Sequence, residues 1–329
     1  MPVIRPERSQ LGNVELELPI YFPSVSSVKT ILAPLEYIKL LNALGSVSPQ
    51  FLVSAFDLGN ASDVEQEKYG LLLSNALDSG SILLMDSGNF ESYWKESTDK
   101  WSRNHFHDAI IEFPCPLAFG FDEQKPPADY SEHLKLIVEG WQEDQIAAGE
   151  KTIIPIIHGR GDNLPDLCVD IAINTGVDMV AVPERNLGEG IFERILTVSA
   201  IRQRFKETGK YILLHLLGTG NPISIAAYSL AGADSFDGLE CCQTVVDHET
   251  GLLFHFSQSD FFRGQTVWGD EEISFQARTL AHNLEFYFDW MSRLRLAIHA
   301  NDGVAFCQAN LSPRIFDHLS AIMKWENPK

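Results

Sequence analysis

The chain has no apolar run approaching the roughly 20 residues that a membrane-spanning helix needs. Its first residues lack the apolar core of a secretory signal peptide, so we expect a cytoplasmic protein with no membrane partner. Basic residues are scarce, with 25 lysines and arginines against 45 acidic residues and a net charge of −20. That balance disfavours a general nucleic-acid surface, which needs cations to displace counterions, but it leaves room for one local basic patch.

Cysteines are few and scattered, and none are spaced as CxxC: Cys115, Cys168, Cys241, Cys242 and Cys307. The sequence therefore shows neither a disulfide framework nor a zinc knuckle, and we expect buried thiols. No Pro/Gly/Ser-rich linker divides the chain. Its 329 residues suit a single TIM-barrel domain over 1–329, since such a barrel takes roughly 250 residues plus additions.

What the chain does have is a regular alternation of apolar runs and amphipathic stretches, which is typical of βα units. Seven apolar runs predict parallel strands buried on both faces: 50–57, 81–87, 116–122, 152–158, 178–183, 211–218 and 234–240. The run 251–257 is the candidate for an eighth strand. We expect the N-terminal ~45 residues to be an irregular or strand-containing extension. Residues 271–329 should form a C-terminal helical segment with one long extra helix.

Two of the intervening helices carry further detail. Asn221-Pro222 is a helix start signal and Gly232 a stop signal. In the stretch 191–206, four basic residues alternate with an apolar helical face, and we interpret them as a solvated helix side: Arg194, Arg202, Arg204 and Lys206.

Five predicted strands end in a polar residue or a glycine turn: Asp86, Asp122, His158, Gly218 and Asp237. The carboxyl ends of barrel strands share one rim, where TIM barrels build their active sites. The fold class is thus α/β, a (β/α)8 TIM barrel with an extra C-terminal helix, and these residues predict a site at its rim.

The motifs, in this order, resemble those of the tRNA-guanine transglycosylase family, whose members exchange guanine for a 7-deazaguanine on a (β/α)8 barrel. The likeness spans about residues 81 to 300, and the first eighty residues match poorly. Seven segments carry it: MDSGNF (85–90), FGFDEQ (119–124), PIIHGR (155–160), AVPERNLGEG (181–190), LLGTGNP (216–222), GADSFDGLE (232–240) and AHNLEFYFDWMSRLRLAI (281–298).

The resemblance implies that Asp237 is the nucleophile and Asp86 the general acid/base. Cleaving an N-glycosidic bond with retention needs one carboxylate that attacks the anomeric carbon and holds the glycosyl unit covalently. A second group then exchanges protons with the departing and incoming bases. We expect the two aspartates at neighbouring strand ends, in environments that split their pKa values.

The resemblance also implies a pocket for a flat base. Asp122 would accept hydrogen bonds from the ring N–H and amino group of a guanine-like base, between Phe90 and Leu217 as stacking partners. Three further positions carry over: Ser87 at the ribose, Gly218 as a backbone donor, and Glu189 near the 7-substituent.

Three positions of that pocket depart from the family pattern. His158 stands in place of glutamine; it can still hydrogen-bond a purine carbonyl, with a charge that depends on pH. Glu184 and Arg185 replace a glycine-leucine pair whose backbone lines the pocket. We expect Glu184 to contribute to base binding and to pair with Arg185, which leaves the identity of the base open.

The segment after Asp237 departs further. It lacks the family's proline-threonine-arginine sequence, whose arginines hold the anticodon loop. The C-x-C-x-x-C zinc cluster is missing too, although His282 occupies its histidine position, so we expect no metal and no cofactor. Arg160 and Arg263 are candidates for a phosphate contact, but two arginines do not make a tRNA surface.

The sequence therefore predicts a pentosyltransferase that exchanges guanine for a 7-deazaguanine base in tRNA or DNA. The expected partners are that base and a nucleic acid, held with help from a partner protein; a homodimer is also left open. Two alternatives stay open as well. One is an N-glycosidase acting on a small 7-deazaguanine nucleoside or nucleotide, and the other is an inactive partner subunit of an active paralogue. Retention of both Asp86 and Asp237 argues against the second.

Overall fold

A computed structural model describes residues 4–95, 101–159 and 161–325, and a parallel eight-stranded sheet forms its centre. The strands of the described residues are β1 (Arg8–Leu11), β2 (Val14–Glu17), β3 (Ile20–Val25), β4 (Gln50–Ser54), β5 (Ile82–Asp86), β6 (Leu117–Phe119), β7 (Thr152–Ile154), β8 (Met179–Pro183), β9 (Leu213–Leu217), β10 (Ser235–Gly238), β11 (Thr244–Val246) and β12 (Leu253–His255). The sheet order is β7-β6-β5-β4-β3-β10-β9-β8.

The two outer strands of this sheet meet and close it into a barrel. The backbone N–H of Ile157 donates to the carbonyl of Ala181 at 2.8 Å, and that of Ala181 donates to Pro155 at 2.9 Å. Helices surround the barrel, as the predicted (β/α)8 TIM barrel requires. They are α1 (Pro34–Ala43), α2 (Ala55–Gly59), α3 (Asp63–Asp78), α4 (Asn89–Trp94), α5 (Arg103–Glu112), α6 (Tyr130–Ala148), α7 (Leu164–Thr175), α8 (Ile191–Glu207), α9 (Pro222–Ala231), α10 (Glu240–Gln243), α11 (Phe275–His299), α12 (Gly303–Asn310) and α13 (Pro313–Met323).

The prediction for the eighth strand was wrong. The missing barrel strand is β3, inside the N-terminal segment, where it pairs in parallel with β4 and β10. Pro23 concealed it, since proline within an apolar run argues against a central strand. Within the predicted run 251–257, only Leu253–His255 is a strand. It pairs with Thr244–Val246 in a separate two-stranded sheet.

The barrel interior is apolar and closed at its N-terminal end. Phe22, Leu84 and Phe119 point inward from the strands, and Leu11 and Leu16 of the β1–β2 hairpin pack against the same buried cluster. A packed interior plugged at one end leaves the opposite rim, formed by the carboxyl ends of the strands, as the place for a site.

The helix boundaries read from the sequence are confirmed at α9. The side chain of Asn221 accepts hydrogen bonds from the backbone N–H groups of Ile223 and Ser224 at 3.0 and 3.3 Å, and Gly232 follows the last turn with φ +122°. The predicted C-terminal helical segment contains α11, α12 and α13, with Trp290 of α11 buried.

The interpretation of the α8 arginines as a solvated side was wrong for Arg202. Its guanidinium reaches the wholly buried Asp234 with an N–O distance of 2.5 Å. Asp234 also accepts from Arg5 at 2.8 Å and from Tyr211 at 2.6 Å. This buried network joins Arg5 of the N-terminal segment to Asp234, the residue before β10. Breaking it would leave an unpaired buried charge, which is strongly unfavourable.

All five cysteines are buried and free, as expected. Among the described helices, none combines the length and the apolar character needed to cross a membrane.

Candidate functional site

Each barrel strand delivers a polar or glycine position to one rim. In strand order these are Ser24 of β3, Ser54 of β4, Asp86 of β5, Asp122 after β6, His158 after β7, Glu184 after β8, Gly218 after β9, and Asp237 of β10. The residues predicted from the motifs therefore share this rim. Glu189 is the exception, because it lies on the exposed loop before α8, and no hydrogen bond or ion pair of the described residues joins its side chain to the others.

Asp237 is held by three donors and is only 8% exposed. Its Oδ2 accepts from Ser24 Oγ at 2.9 Å, and its Oδ1 accepts from the backbone N–H of Gly218 at 3.0 Å. His215 Nε2 lies 3.1 Å from Oδ1, and its Nδ1 lies 2.7 Å from Ser235 Oγ. An imidazole protonated at Nε2 satisfies both contacts, so the carboxylate is fixed in one orientation.

The sequence reasoning did not select His215. The feature that could have identified His215 is a single histidine in the otherwise apolar run LLHLL. His215 pairs with Ser235 on the adjacent strand, and Asp237, two residues further along, lies on the same face of the sheet. The N–H of Gly218, expected to contact a base, donates to Asp237 instead.

Asp86 stands in a very different environment. Burial, followed by the nearby carboxylate of Glu91, raises the pKa of Asp86 well above its usual 3.8, and Asp122 and Asp237 add to the rise. The backbone N–H of Gly88 donates to Asp86 Oδ2 at 3.0 Å and partly offsets it. A carboxyl group that favours its protonated form can serve as a proton donor.

We expected Asp86 and Asp237 at the ends of neighbouring strands, and this prediction was wrong. β4 and β3 separate β5 from β10 in the sheet, so Asp86 and Asp237 lie three strands apart on the same rim. They still interact electrostatically, since Asp237 contributes to the raised pKa of Asp86.

Asp122 is surrounded by protein donors, and its side chain is only 4% exposed. Its Oδ1 accepts from Ser87 Oγ at 3.2 Å and from Asn89 Nδ2 at 2.7 Å. Its Oδ2 accepts from Gln124 Nε2 at 2.5 Å and lies 2.5 Å from His158 Nε2. Burial alone would raise the pKa of Asp122, but the contacts with His158 and Asn89 lower it. A guanine edge must therefore displace a protein donor to reach this carboxylate.

The expected Glu184–Arg185 pair is absent. Glu184 Oε1 instead pairs with Arg194 Nη1 and accepts from Tyr228 Oη, both at 2.9 Å. Arg185 Nη2 donates to Gln124 Oε1 at 2.8 Å. Adjacent residues in a 3₁₀ turn point in different directions, so their proximity in sequence did not make them partners.

Gln124 consequently bridges Arg185 and Asp122. A cavity of about 580 Å³ lies beside this bridge, at the ends of β6, β7 and β8, and Gln124, His158 and Arg185 are among its lining residues. A ligand of nucleobase size fits that volume, so displacement of Gln124 would open a path from the cavity to Asp122.

The other predicted pocket residues occupy the two sides of the mouth. Phe90 is 39% exposed on α4, after β5, and Leu217 is partly buried at the end of β9. That a base stacks between them stays a prediction, since neither residue lines the cavity beside Gln124. Ser87 is 1% exposed and turns its hydroxyl to Asp122 rather than to the mouth.

Glu91 and Gly88 fix the start of α4 against the barrel. Glu91 is 3% exposed, and its carboxylate accepts from Ser26 Oγ at 2.5 Å and from Ser54 Oγ at 2.7 Å. Gly88 has φ +87°, and a Cβ atom there would lie 2.6 Å from the backbone nitrogen of Phe56. Only glycine fits this turn.

Glu240, three residues after Asp237, is a second group that the sequence reasoning missed. Burial raises its pKa from 4.5 to about 7; the backbone N–H of Gly220 opposes the rise, and Asp237 and Glu184 add to it. Its carboxylate occupies space left by two glycines, since a Cβ atom on Gly220 or Gly238 would come within 2.1 or 2.4 Å of Glu240 Oε2.

The region of the family's zinc site is occupied by protein contacts. His282 Nε2 lies 2.8 Å from the carbonyl oxygen of Val246, its ring centroid is 4.2 Å from that of His248, and burial lowers its pKa to about 4. In the described part of the chain, no cluster of three His, Cys, Asp or Glu side chains is arranged to hold a metal. Arg263 donates to the carbonyl of Gly269, and Arg160 lies outside the described residues.

A scan against protein-family models and a search of curated proteins both find no match to this chain.

Proposed function

We propose that this protein is a base-exchanging glycosyltransferase that resembles the tRNA-guanine transglycosylases and replaces guanine by a 7-deazaguanine base in a nucleic acid. One observation carries the proposal. Asp237 and Asp86 lie on the same rim of the barrel, the first held by three donors and the second with a pKa raised well above 3.8. A nucleophile and a proton donor require these contrasting environments.

In the first step, Asp237 attacks the anomeric carbon. A carbon–oxygen bond forms as the glycosidic carbon–nitrogen bond breaks, and the proton of Asp86 passes to the departing base. In the second step, the ring nitrogen of the incoming base attacks the same carbon and releases Asp237, while Asp86 takes that base's proton. The contacts from Ser24, His215 and Gly218 orient Asp237 throughout.

Base recognition would centre on Asp122. Its lowered pKa keeps an acceptor ready for the ring N–H and amino group of a guanine-like base. Gln124 is the donor best placed to leave, since it is exposed and borders the cavity. Phe90 and Leu217 do not line that cavity, and their stacking role rests on the resemblance alone.

A second candidate is hydrolysis of a small nucleoside or nucleotide, with water in place of the incoming base. The carboxylates of the rim favour it, because a polyanion would be repelled there: Asp122, Glu184 and Asp237.

The test measures labelled guanine entering or leaving guanine-containing oligonucleotides, tRNA and nucleosides. We expect exchange with wild-type protein, none with Asp237→Asn, and unchanged exchange with Asp317→Asn, a matched substitution on the exposed face of α13. Denaturing electrophoresis should show a covalent glycosyl complex that the Asp237→Asn variant lacks. Free base released without any added base would favour the hydrolase. No turnover unless an active paralogue is added would favour the inactive subunit.

A further inference from the structure

Two aromatic side chains project into solvent from α4, the helix that follows β5. Tyr93 is 78% exposed and Trp94 is 50% exposed, and their ring centroids lie 5.4 Å apart in an edge-to-face arrangement. Both belong to α4, which begins three residues after Asp86. Large aromatic rings held outward at the entrance of a site are typical of ligand-contact surfaces.

The helix that carries these rings is anchored firmly. The buried carboxylate of Glu91 bonds the hydroxyls of Ser26 and Ser54, which belong to two different segments of the rim. Asn89 Nδ2 donates to both the carbonyl and the carboxylate of Asp122, at 3.0 and 2.7 Å. These contacts hold the backbone of α4, so a ligand that stacks on its rings does not have to order the helix as well.

A cation accompanies the rings. Lys29 Nζ lies 3.7 Å from the centroid of the Trp94 ring. Lys29 has φ +57°, a left-handed conformation that costs a non-glycine residue free energy. Contacts of Ser26 with the N–H of Val28 and the hydroxyl of Thr30 hold this turn, so the fold maintains a strained residue that places an ammonium over an aromatic face.

We propose that Lys29, Tyr93 and Trp94 form an aromatic platform that stacks the unpaired bases flanking the target nucleotide of a single-stranded polynucleotide. This inference rests on the proposed function and narrows its substrate from a free nucleoside to a polymer. Every base has a face that can stack on an aromatic ring, and the ammonium of Lys29 would pair with an adjacent phosphate.

A protein partner fits the platform less well. Stable protein interfaces cover about 800 Å² on each partner, far more than two rings and one lysine provide. Within a chain of net charge −20, the ammonium of Lys29 complements a local phosphate rather than an extended acidic protein surface.

The test is fluorescence anisotropy of labelled single-stranded DNA and RNA oligonucleotides with a central guanine. We expect the double variant Tyr93→Ala/Trp94→Ala to weaken binding by roughly 30-fold or more, since two stacks are lost and their effects multiply. Trp94→Phe, which keeps a stacking ring, should stay within about threefold of wild type. Lys29→Ala should reduce the salt dependence by about one phosphate contact. Ile146→Ala is the matched control, because Ile146 is 83% exposed near the end of α6.

An unchanged oligonucleotide affinity in the double variant, or wild-type protein that binds neither DNA nor RNA, would overturn the inference. So would a change in self-association measured by sedimentation with unchanged oligonucleotide binding, which would assign the rings to a protein contact. Guanine exchange on free nucleosides does not need the platform and is measured in parallel. Platform-dependent binding without any exchange would therefore refute the proposed function and leave this inference standing.

Discussion

Replacing Glu240 by glutamine should stabilise the protein at alkaline pH and leave its stability nearly unchanged at acidic pH. The pKa of Glu240 rises from 4.5 to about 7 on folding, chiefly through burial. The folded state thus binds the proton more tightly than the unfolded state. The stability this provides is fully present below pH 4.5 and is lost as pH rises through about 7.

The shift corresponds to about 3 kcal/mol between the acidic and alkaline limits. Glutamine keeps an acceptor for the N–H of Gly220 and carries no charge, so at pH 8.5 the variant should unfold with a free energy up to about 3 kcal/mol higher, or roughly 4 °C in Tm. Urea denaturation at pH 4.5 and pH 8.5 measures this, with Glu150→Gln on the exposed surface as the control. An equal difference at both pH values, or a destabilised variant at pH 8.5, would refute the assignment of a buried charge to Glu240.

Three further predictions concern the rim and its support. Gly88→Ala should destabilise the protein by about 2–4 kcal/mol in urea denaturation, because Gly88 has φ +87° and an added Cβ would clash with Phe56. Gly218 has φ +73° but open space around it, so Gly218→Ala should cost about 1 kcal/mol. Equal losses in the two variants would contradict the steric argument. Gln124→Ala should tighten guanine binding in calorimetry by roughly 3- to 10-fold by freeing Asp122 Oδ2, and weaker binding would mean that Gln124 contacts the base. Asp234→Ala should cost about 3–5 kcal/mol, since Arg5 and Arg202 would lose their buried partner, and a loss below 1 kcal/mol would show that water replaces it.

The barrel was predictable from sequence because its strands follow simple rules. Runs such as 178–183 and 211–218 are apolar on both faces and end at turn residues, which is how parallel strands read. β3 was missed because Pro23 breaks that rule at a position where the strand pairs with the end of β10. The strand at 253–255 has the composition of a barrel strand. It nevertheless belongs to a separate two-stranded sheet, because it pairs with 244–246.

The site was only partly predictable. Motifs placed Asp86, Asp122 and Asp237 at the rim, since each follows an apolar run. Their partners depend on distances between strands far apart in sequence, which no local pattern encodes. Arg202 is the clearest example of a contact that the sequence pattern does not reveal. Its helical spacing suggests a solvated side chain, yet it is buried because it pairs with Asp234, 32 residues away.

The hydrogen bond from Ser24 to Asp237 joins residues 213 positions apart. β3 supplies this serine and pairs with β10 through residues 20–23, so the N-terminal segment forms part of the site's wall. During synthesis on a ribosome, β3 must wait until β10 emerges before it can complete the ring, and contacts of such long sequence separation form slowly. The order of translation therefore makes the set of hydrogen bonds around Asp237 one of the last parts of the barrel to form.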